Sequence, residues 1–292
     1  MSKRALSTAH TRLLHALNDL KATARLTDAE AAKATDLQGS KISRILQGQS
    51  KAKPEDVRLL ARAYNATPEV VEALVDLAER AWRAGDDWTT VFSAFTDAFW
   101  HGLDMERHAT EINQIQSEIV PGLAQTEHYR LALQQAAGPL LDRDLVLHGL
   151  RQRHALLERV DPPPPRVRMI LSESCLRRRH GTSAVMAEQM RALLRFAARP
   201  TVELRLAPFA GPPARHSSLN FTLMHIPGAA EPIAPMDVVC LEHLADAQYL
   251  RDPEHVRPYQ DLFEQRWRLA VAGEACEKMI SGIADDYDRT TP

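Results

Sequence analysis

Cysteine is scarce in this chain of 292 residues: there are three, Cys175, Cys240 and Cys276. They are odd in number, far apart and never in a CxxC pair, which argues against a disulfide framework or a cysteine-based zinc site and leaves buried, reduced thiols. No uncharged apolar run approaches the roughly 18 residues of a membrane span, so no membrane partner is expected. The opening residues "MSKRALSTAH" lack the apolar centre of a secretory signal, and a cytoplasmic location is the expectation. Aromatics make up only 5% of the residues, so the cluster Trp88, Phe92, Phe95, Phe99 and Trp100 stands out. Catalytic signatures are missing too. The run "GTSAV" from Gly181 lacks the lysine of a phosphate loop, and no serine sits in GxSxG. The 12 histidines are scattered; His216, His225 and His243 fall in different expected elements, without the i,i+4 spacing of a helical zinc pair. The expectation is therefore no cofactor, no metal and no enzymatic activity.

What is present is the make-up of an ordinary globular protein, 45% hydrophobic and 25% charged, with length enough for two domains. The net charge of -2 conceals an asymmetry. Met1 to Arg62 carries 12 Lys+Arg against 6 Asp+Glu, while the remainder carries 24 against 32. From Leu37 to Pro54 there is no acid at all, only Lys41, Arg44, Lys51 and Lys53. Charge of that sign attracts phosphate.

Five helices are expected in this cationic end. Leu13, Leu14, Leu17 and Leu20 have helical spacing within Thr8 to Ala24. Thr27-Asp28-Ala29-Glu30 is a capping box that starts the second helix, whose alanines keep it slim. The run "TDLQGS" breaks it, with Asp36 suited to a left-handed turn and Leu37 to the corner, and a third helix starts near Gln38 or Ser40. That helix buries Ile42 and Ile45 and leaves Ser40, Lys41 and Arg44 on other faces. Pro54 with Glu55 and Asp56, then Thr67-Pro68-Glu69, start the fourth and fifth.

Residues 8 to 65 resemble the Xre/Cro-type helix-turn-helix domain, whose usual run reads roughly "LTQEELAxxLGVSQSKISRIExG" where this chain has "LTDAEAAKATDLQGSKISRILQG", from Leu26 to Gly48. The "SKISRI" stretch matches outright. Four departures touch the contact surface. Asp28 stands where the family has a phosphate-binding Gln, Gln38 replaces the cap Ser, Gly39 replaces a base-reading Gln, and Leu46 replaces a Glu. The resemblance implies that Ser40 and Arg44 face base edges, with Ser43 among the DNA-binding residues, while Gln38, Lys41 and either Lys51 or Lys53 hold phosphates. It also implies binding to double-stranded DNA as a homodimer, since one recognition helix covers few base pairs. The aromatic cluster either supplies that interface or buries against the second half, the latter being the expectation.

The polar "RAGDD" near Gly85 marks the expected boundary, giving a helix-turn-helix domain at residues 1–83 and a second domain at residues 84–292. Helices are expected over Asp87–His101, Met105–Gln116 and Asp142–Val160, with another capped near Thr126, so residues 84–160 read as helical. After the extended "DPPPP" link the period falls toward two, and residues 166–283 read as a layer of strands and helices. The strands are "RVRMILS", "VELRLAP", "NFTLMHI" and "DVVCLEH", and Met186–Phe196 and Val256–Ala272 are helical. The expected fold is thus five helices followed by a larger α+β domain with a small sheet.

This half is similar to a C-terminal domain of unknown biochemical role that often follows such helix-turn-helix domains in bacterial regulators. The matching residues are Val120 to Thr126 with Tyr129, Glu173 with Leu176 and Arg177, Met186 to Leu194, and Leu204 to Gly211 with Phe221, Glu242 and Tyr249. Trp100, Gln125, Tyr129, Glu173, Arg177, Phe221 and Glu242 are the candidate ligand or partner contacts. Glu173 and Glu242 end strands, where carboxylates either do acid–base work or pair with neighbours such as Arg177 and Arg178. The basic "RRRH", Arg177 to His180, reads as a solvated loop or an anion contact. The expected function is a transcriptional regulator controlled through this domain by a small ligand or a small partner protein. The alternative is an adaptor whose altered helix-turn-helix binds protein.

Overall fold

A computed structural model of the chain describes residues 7–87, 97–137, 143–211, 220–228, 234–242 and 247–290. The chain divides into two compact units, Met1–His108 with Ile226–Met236, and Ala109–His225 with Asp237–Pro292.

The first unit carries α1 (Thr8–Ala24), α2 (Asp28–Thr35), α3 (Gly39–Leu46), α4 (Pro54–Ala63), α5 (Pro68–Asp87) and α6 (Asp97–His108). Each start and stop has a local cause. Ser7 accepts from the His10 amide to begin α1, and Arg25 ends it in the left-handed region at φ 55°. The expected capping box forms: Thr27 Oγ1 accepts from the Glu30 amide at 3.3 Å while Glu30 Oε2 accepts from the Thr27 amide at 2.8 Å. Asp36 turns left-handed at φ 57°, and Leu37 packs against the core as the corner residue. Leu13, Leu17, Ala31, Ile42, Ile45, Leu60 and Leu74 are completely buried and tie α1 to α5 together. The expected boundary at 83/84 falls inside α5, which runs through Gly85; one glycine costs a helix only about 1 kcal/mol, too little to break it. Trp88, Phe92 and Phe95 lie outside the described residues, as do the side chains of Phe99 and Trp100.

The second unit is built on one six-stranded sheet of β1 (Glu111–Gln116), β2 (Arg166–Ser172), β3 (Val202–Ala207), β4 (Phe221–Ile226), β5 (Met236–Glu242) and β6 (Ala247–Leu250), ordered β3-β2-β1-β4-β5-β6. β1, β2 and β3 are parallel neighbours; β4 runs antiparallel to β1, and β6 to β5. The helices are α7 (Glu127–Ala137), α8 (Arg143–Leu156), α9 (Glu173–Arg177), α10 (Ser183–Ala197), α11 (Pro253–Leu269) and α12 (Gly273–Arg289). The parallel pairs need long crossovers, supplied by α7 and α8 between β1 and β2 and by α9 and α10 between β2 and β3.

Two expectations are corrected here. Met105–Gln116 is not one helix: α6 ends at His108 and Glu111–Gln116 is the strand β1, paired on both sides. Its sequence "EINQIQ" is rich in helix formers, but two flanking ladders outweigh that weak preference, and the buried Gln114 amide donates to Thr222 Oγ1 at 3.2 Å. The helix expected over Asp142–Val160 is shorter, Arg143–Leu156. The strands β1 and β6 and the helices α9 and α12 were not expected from the pattern, and α6, in a region where a helix was expected to end at His101, runs to His108.

Alternation assigns the faces of the sheet. Ile112, Val167, Met169, Leu171, Leu204 and Leu206 are buried on one, where α10 and α12 pack on each other and on β3. On the other, Ile170, Phe221, Leu223 and Val239 meet Val256, Phe263 and Trp267 of α11. Arg168 lies 4.4 Å from the Trp267 ring centre and Arg205 4.1 Å, so strand arginines roof the aromatic cluster while Arg168 pairs with Glu264 at 2.7 Å. All three cysteines are buried thiols. No helix of the described residues is long and apolar enough to cross a membrane.

Candidate nucleic-acid interface

The third helix is held by one face and open on the other. Ile42 and Ile45 anchor it in the core, so at 3.6 residues per turn Ser40, Ser43, Arg44 and Gln47 are carried toward the outside. Arg44 is exposed, and its Nε donates only to the Ser40 carbonyl at 3.2 Å. Neither Arg44 nor Lys53 meets an acidic side chain among the described residues. Ser43 Oγ accepts from Gln47 Nε2 at 3.2 Å. Gln38 is the N-cap residue but makes no side-chain cap bond, leaving its amide group at the surface. Gly39 opens the helix, and a Cβ there would meet only the Asp28 carbonyl oxygen at 3.9 Å, an ordinary contact.

The remaining expected phosphate contacts are otherwise engaged. Lys41 reaches across to Asp56 Oδ1 at 2.8 Å, tying α3 to the first turn of α4. Asp56 is buried and its second oxygen has no partner, so this ion pair belongs to the framework. Lys51 stands 5.6 Å from the Trp82 ring centre and donates to the Trp82 carbonyl at 3.4 Å. Its charge also reaches His10, whose imidazole is pushed down to about 4 by burial first and by Lys51 second. Asp28, the first residue of α2, forms an ion pair with Lys21 of α1. Burial first, and the Asp28 charge second, push the Tyr64 phenol up to about 12. Lys21 was not singled out in the sequence; its partner lies seven residues away across a turn, a spacing that no helical rule selects.

In the second unit the candidate contacts divide differently. Tyr129 is fully buried and its oxygen accepts from the Val120 amide at 3.2 Å. Gln125 Nε2 donates to the Val120 carbonyl at 2.6 Å. Gln189 on α10, fully buried, closes the arrangement by accepting from the Thr126 amide at 2.8 Å and donating to the Ala124 carbonyl at 2.7 Å. The segment Val120 to Thr126 is therefore a hydrogen-bonded turn tied from within by Gln125, Tyr129 and Gln189, while Glu127 and His128 stand exposed in the first turn of α7. Phe221 is buried edge-on to Tyr259 at 5.1 Å. Glu173 accepts from Arg177 Nε at 2.5 Å and from the Phe209 amide at 2.9 Å. Burial opposes its ionisation, but those two donors outweigh it and hold the carboxyl below its ordinary value. Arg177 also lies 3.7 Å from Asp286, Arg178 pairs with Glu118, and His180 packs edge-on to Tyr129. Glu242 is exposed at the end of β5. Trp100 belongs to α6, with its side chain outside the described residues. His225 pairs with Asp237 at 2.7 Å, whereas His216 and His243 lie outside the described residues.

Comparison with known proteins follows the same division. Residues 12–74 match the family described as helix-turn-helix domain, covering α1 to α4 and part of α5. No curated protein and no solved structure matches the chain. Residues 101–282, well over half of the chain, match the family described as domain of unknown function DUF5753, and the chain belongs to that family, with a helix-turn-helix domain preceding it.

Proposed function

We propose that the protein is a sequence-specific regulator of transcription that binds operator DNA as a homodimer, with α3 in the major groove. One observation carries this: Arg44 stands exposed and free of acidic partners on the outward face of a helix whose inward face is locked in the core. A guanidinium so placed can read a guanine by two hydrogen bonds, a contact worth roughly 1 to 3 kcal/mol of discrimination. Ser40 and Ser43 flank it as short readers, and Lys53 with Gln38 serves the backbone. The second unit is the regulatory half, responding to a small ligand or protein partner; such an effector acts only by binding the two states of the protein unequally. No catalysis is assigned, and both oxygens of Glu173 are committed to Arg177 and Phe209.

Selection of bound fragments from random DNA with the purified full chain tests the reading, with an inverted repeat as the expected product. On the selected site Arg44→Ala should lose about 5- to 150-fold of its preference over a mismatched site. Unchanged preference in a gel shift refutes the assignment of α3. The adaptor reading is favoured by Asp28 and Gly39, which remove two contacts. It predicts DNA affinity too weak to show the steep salt dependence of counterion release.

A further inference from the structure

We propose that Asp28 sets the strength with which this domain grips the DNA backbone: its carboxylate stands in for a phosphate and occupies Lys21 until DNA competes for that lysine. The inference rests on the operator-binding reading and names the residue that tunes it.

Asp28 is the first residue of α2, and its backbone oxygen lies 3.9 Å from where a Cβ on Gly39, the first residue of α3, would sit. The starts of the two helices therefore adjoin, and a carboxylate with a paired lysine stands beside the start of the recognition helix. This pair can separate. The Lys21 side chain is 25% exposed and that of Asp28 35%, so each partner can be taken over by water or by another ion. The pair between Lys41 and Asp56 cannot be divided so easily, because Asp56 is only 8% exposed and already has one oxygen without a partner. Breaking it would leave a buried charge unpaired. Lys41, itself 39% exposed, is tied to the buried Asp56, Lys51 rests on Trp82, and of these three partnered lysines Lys21 is the one nearest to release. With Lys21 neutralised, one cation fewer attracts the backbone, and the Arg44 contact accounts for a larger share of binding.

The test uses the full chain on its selected operator, with affinity measured across salt concentrations. Asp28→Asn removes the carboxylate, keeps a residue compatible with a helix start and leaves the Thr27–Glu30 box in place. It should bind about tenfold more tightly at 50 mM salt, with a salt slope steeper by about 0.9, an advantage that shrinks about 3.5-fold by 200 mM. Adding Lys21→Ala to Asp28→Asn should cancel the gain. Lys21→Ala alone, which leaves the carboxylate bare, should weaken binding below wild type. Should Asp28→Asn leave affinity and slope unchanged, or weaken binding, while Arg44→Ala still lowers the sequence preference, the inference falls and the operator-binding reading stands. An Arg44→Ala protein that keeps its preference overturns both.

Discussion

In the helical unit the residues expected to recognise a partner, Ser40, Arg44 and Lys53, stand in water, whereas in the α/β unit Gln125, Tyr129 and Phe221 are sealed inside. Both sets came from motifs of similar clarity. The difference lies in what each motif preserves. In the first unit, alternate faces of a short helix must serve a core and a surface at once, so a motif there contains both kinds of residue. In the second, the run from Val120 to Thr126 lies outside α-helix and strand, and its free amides and carbonyls need internal partners. Polar residues repeated in such a turn hold the chain together.

The contrast is most sharply tested at Gln189. Replacing it with Ala leaves the Thr126 amide and the Ala124 carbonyl buried without their partner, at roughly 1 to 3 kcal/mol each. Urea unfolding should therefore show a loss of about 2 to 5 kcal/mol, with the sequence preference for DNA unmoved. A loss below about 1 kcal/mol would mean that the turn is not held as described.

The helical unit hides one group of its own, and pH exposes it. The folded pKa of His10 is depressed to about 4 from 6.5, so between those values the unfolded chain binds more protons than the folded one. Stability from this group is complete above about 6.5 and is lost as pH falls toward 4, by on the order of 3 kcal/mol. The difference in unfolding free energy between wild type and His10→Gln, measured at pH 7 and pH 4.5, should narrow at the lower pH; a constant difference refutes the buried neutral imidazole.

Smaller effects are expected at the surface. Arg44→Ala should shift unfolding by no more than about 0.5 kcal/mol although it lowers the sequence preference by about 5- to 150-fold, the reverse of Gln189→Ala. Gly39→Ala should stabilise the helical unit by up to about 0.4 to 1 kcal/mol, since its Cβ makes only an ordinary contact with the Asp28 carbonyl oxygen and the unfolded chain loses freedom. A thermal melt that moves downward would show that Gly39 is needed by the fold and is not merely a missing reader.

Much of the first unit was legible because its signals are local. The capping box at Thr27, the left-handed turn at Asp36 and the Pro54 start each act within about one helical turn, and all three occur in the structure. The strands β2 to β5 were legible from their period of two, within about one residue at each end. β1 was not, since four of its six residues are polar and its strand character comes from neighbours distant in sequence. Among the site residues, the exposure of Arg44 followed from helical periodicity. The engagement of Lys41 with Asp56, of Lys51 with Trp82 and of Asp28 with Lys21 did not.

The sequence alone determined where helices α1 to α5 begin, which face of α3 is apolar and that its basic stretch contains no acid, because capping, periodicity and charge are properties of neighbouring residues. Tertiary structure decided which of those cations remain available and which polar motif residues are sealed within the second unit. Ion pairing and burial depend on distances across the fold, and those are set only when separate elements pack against one another.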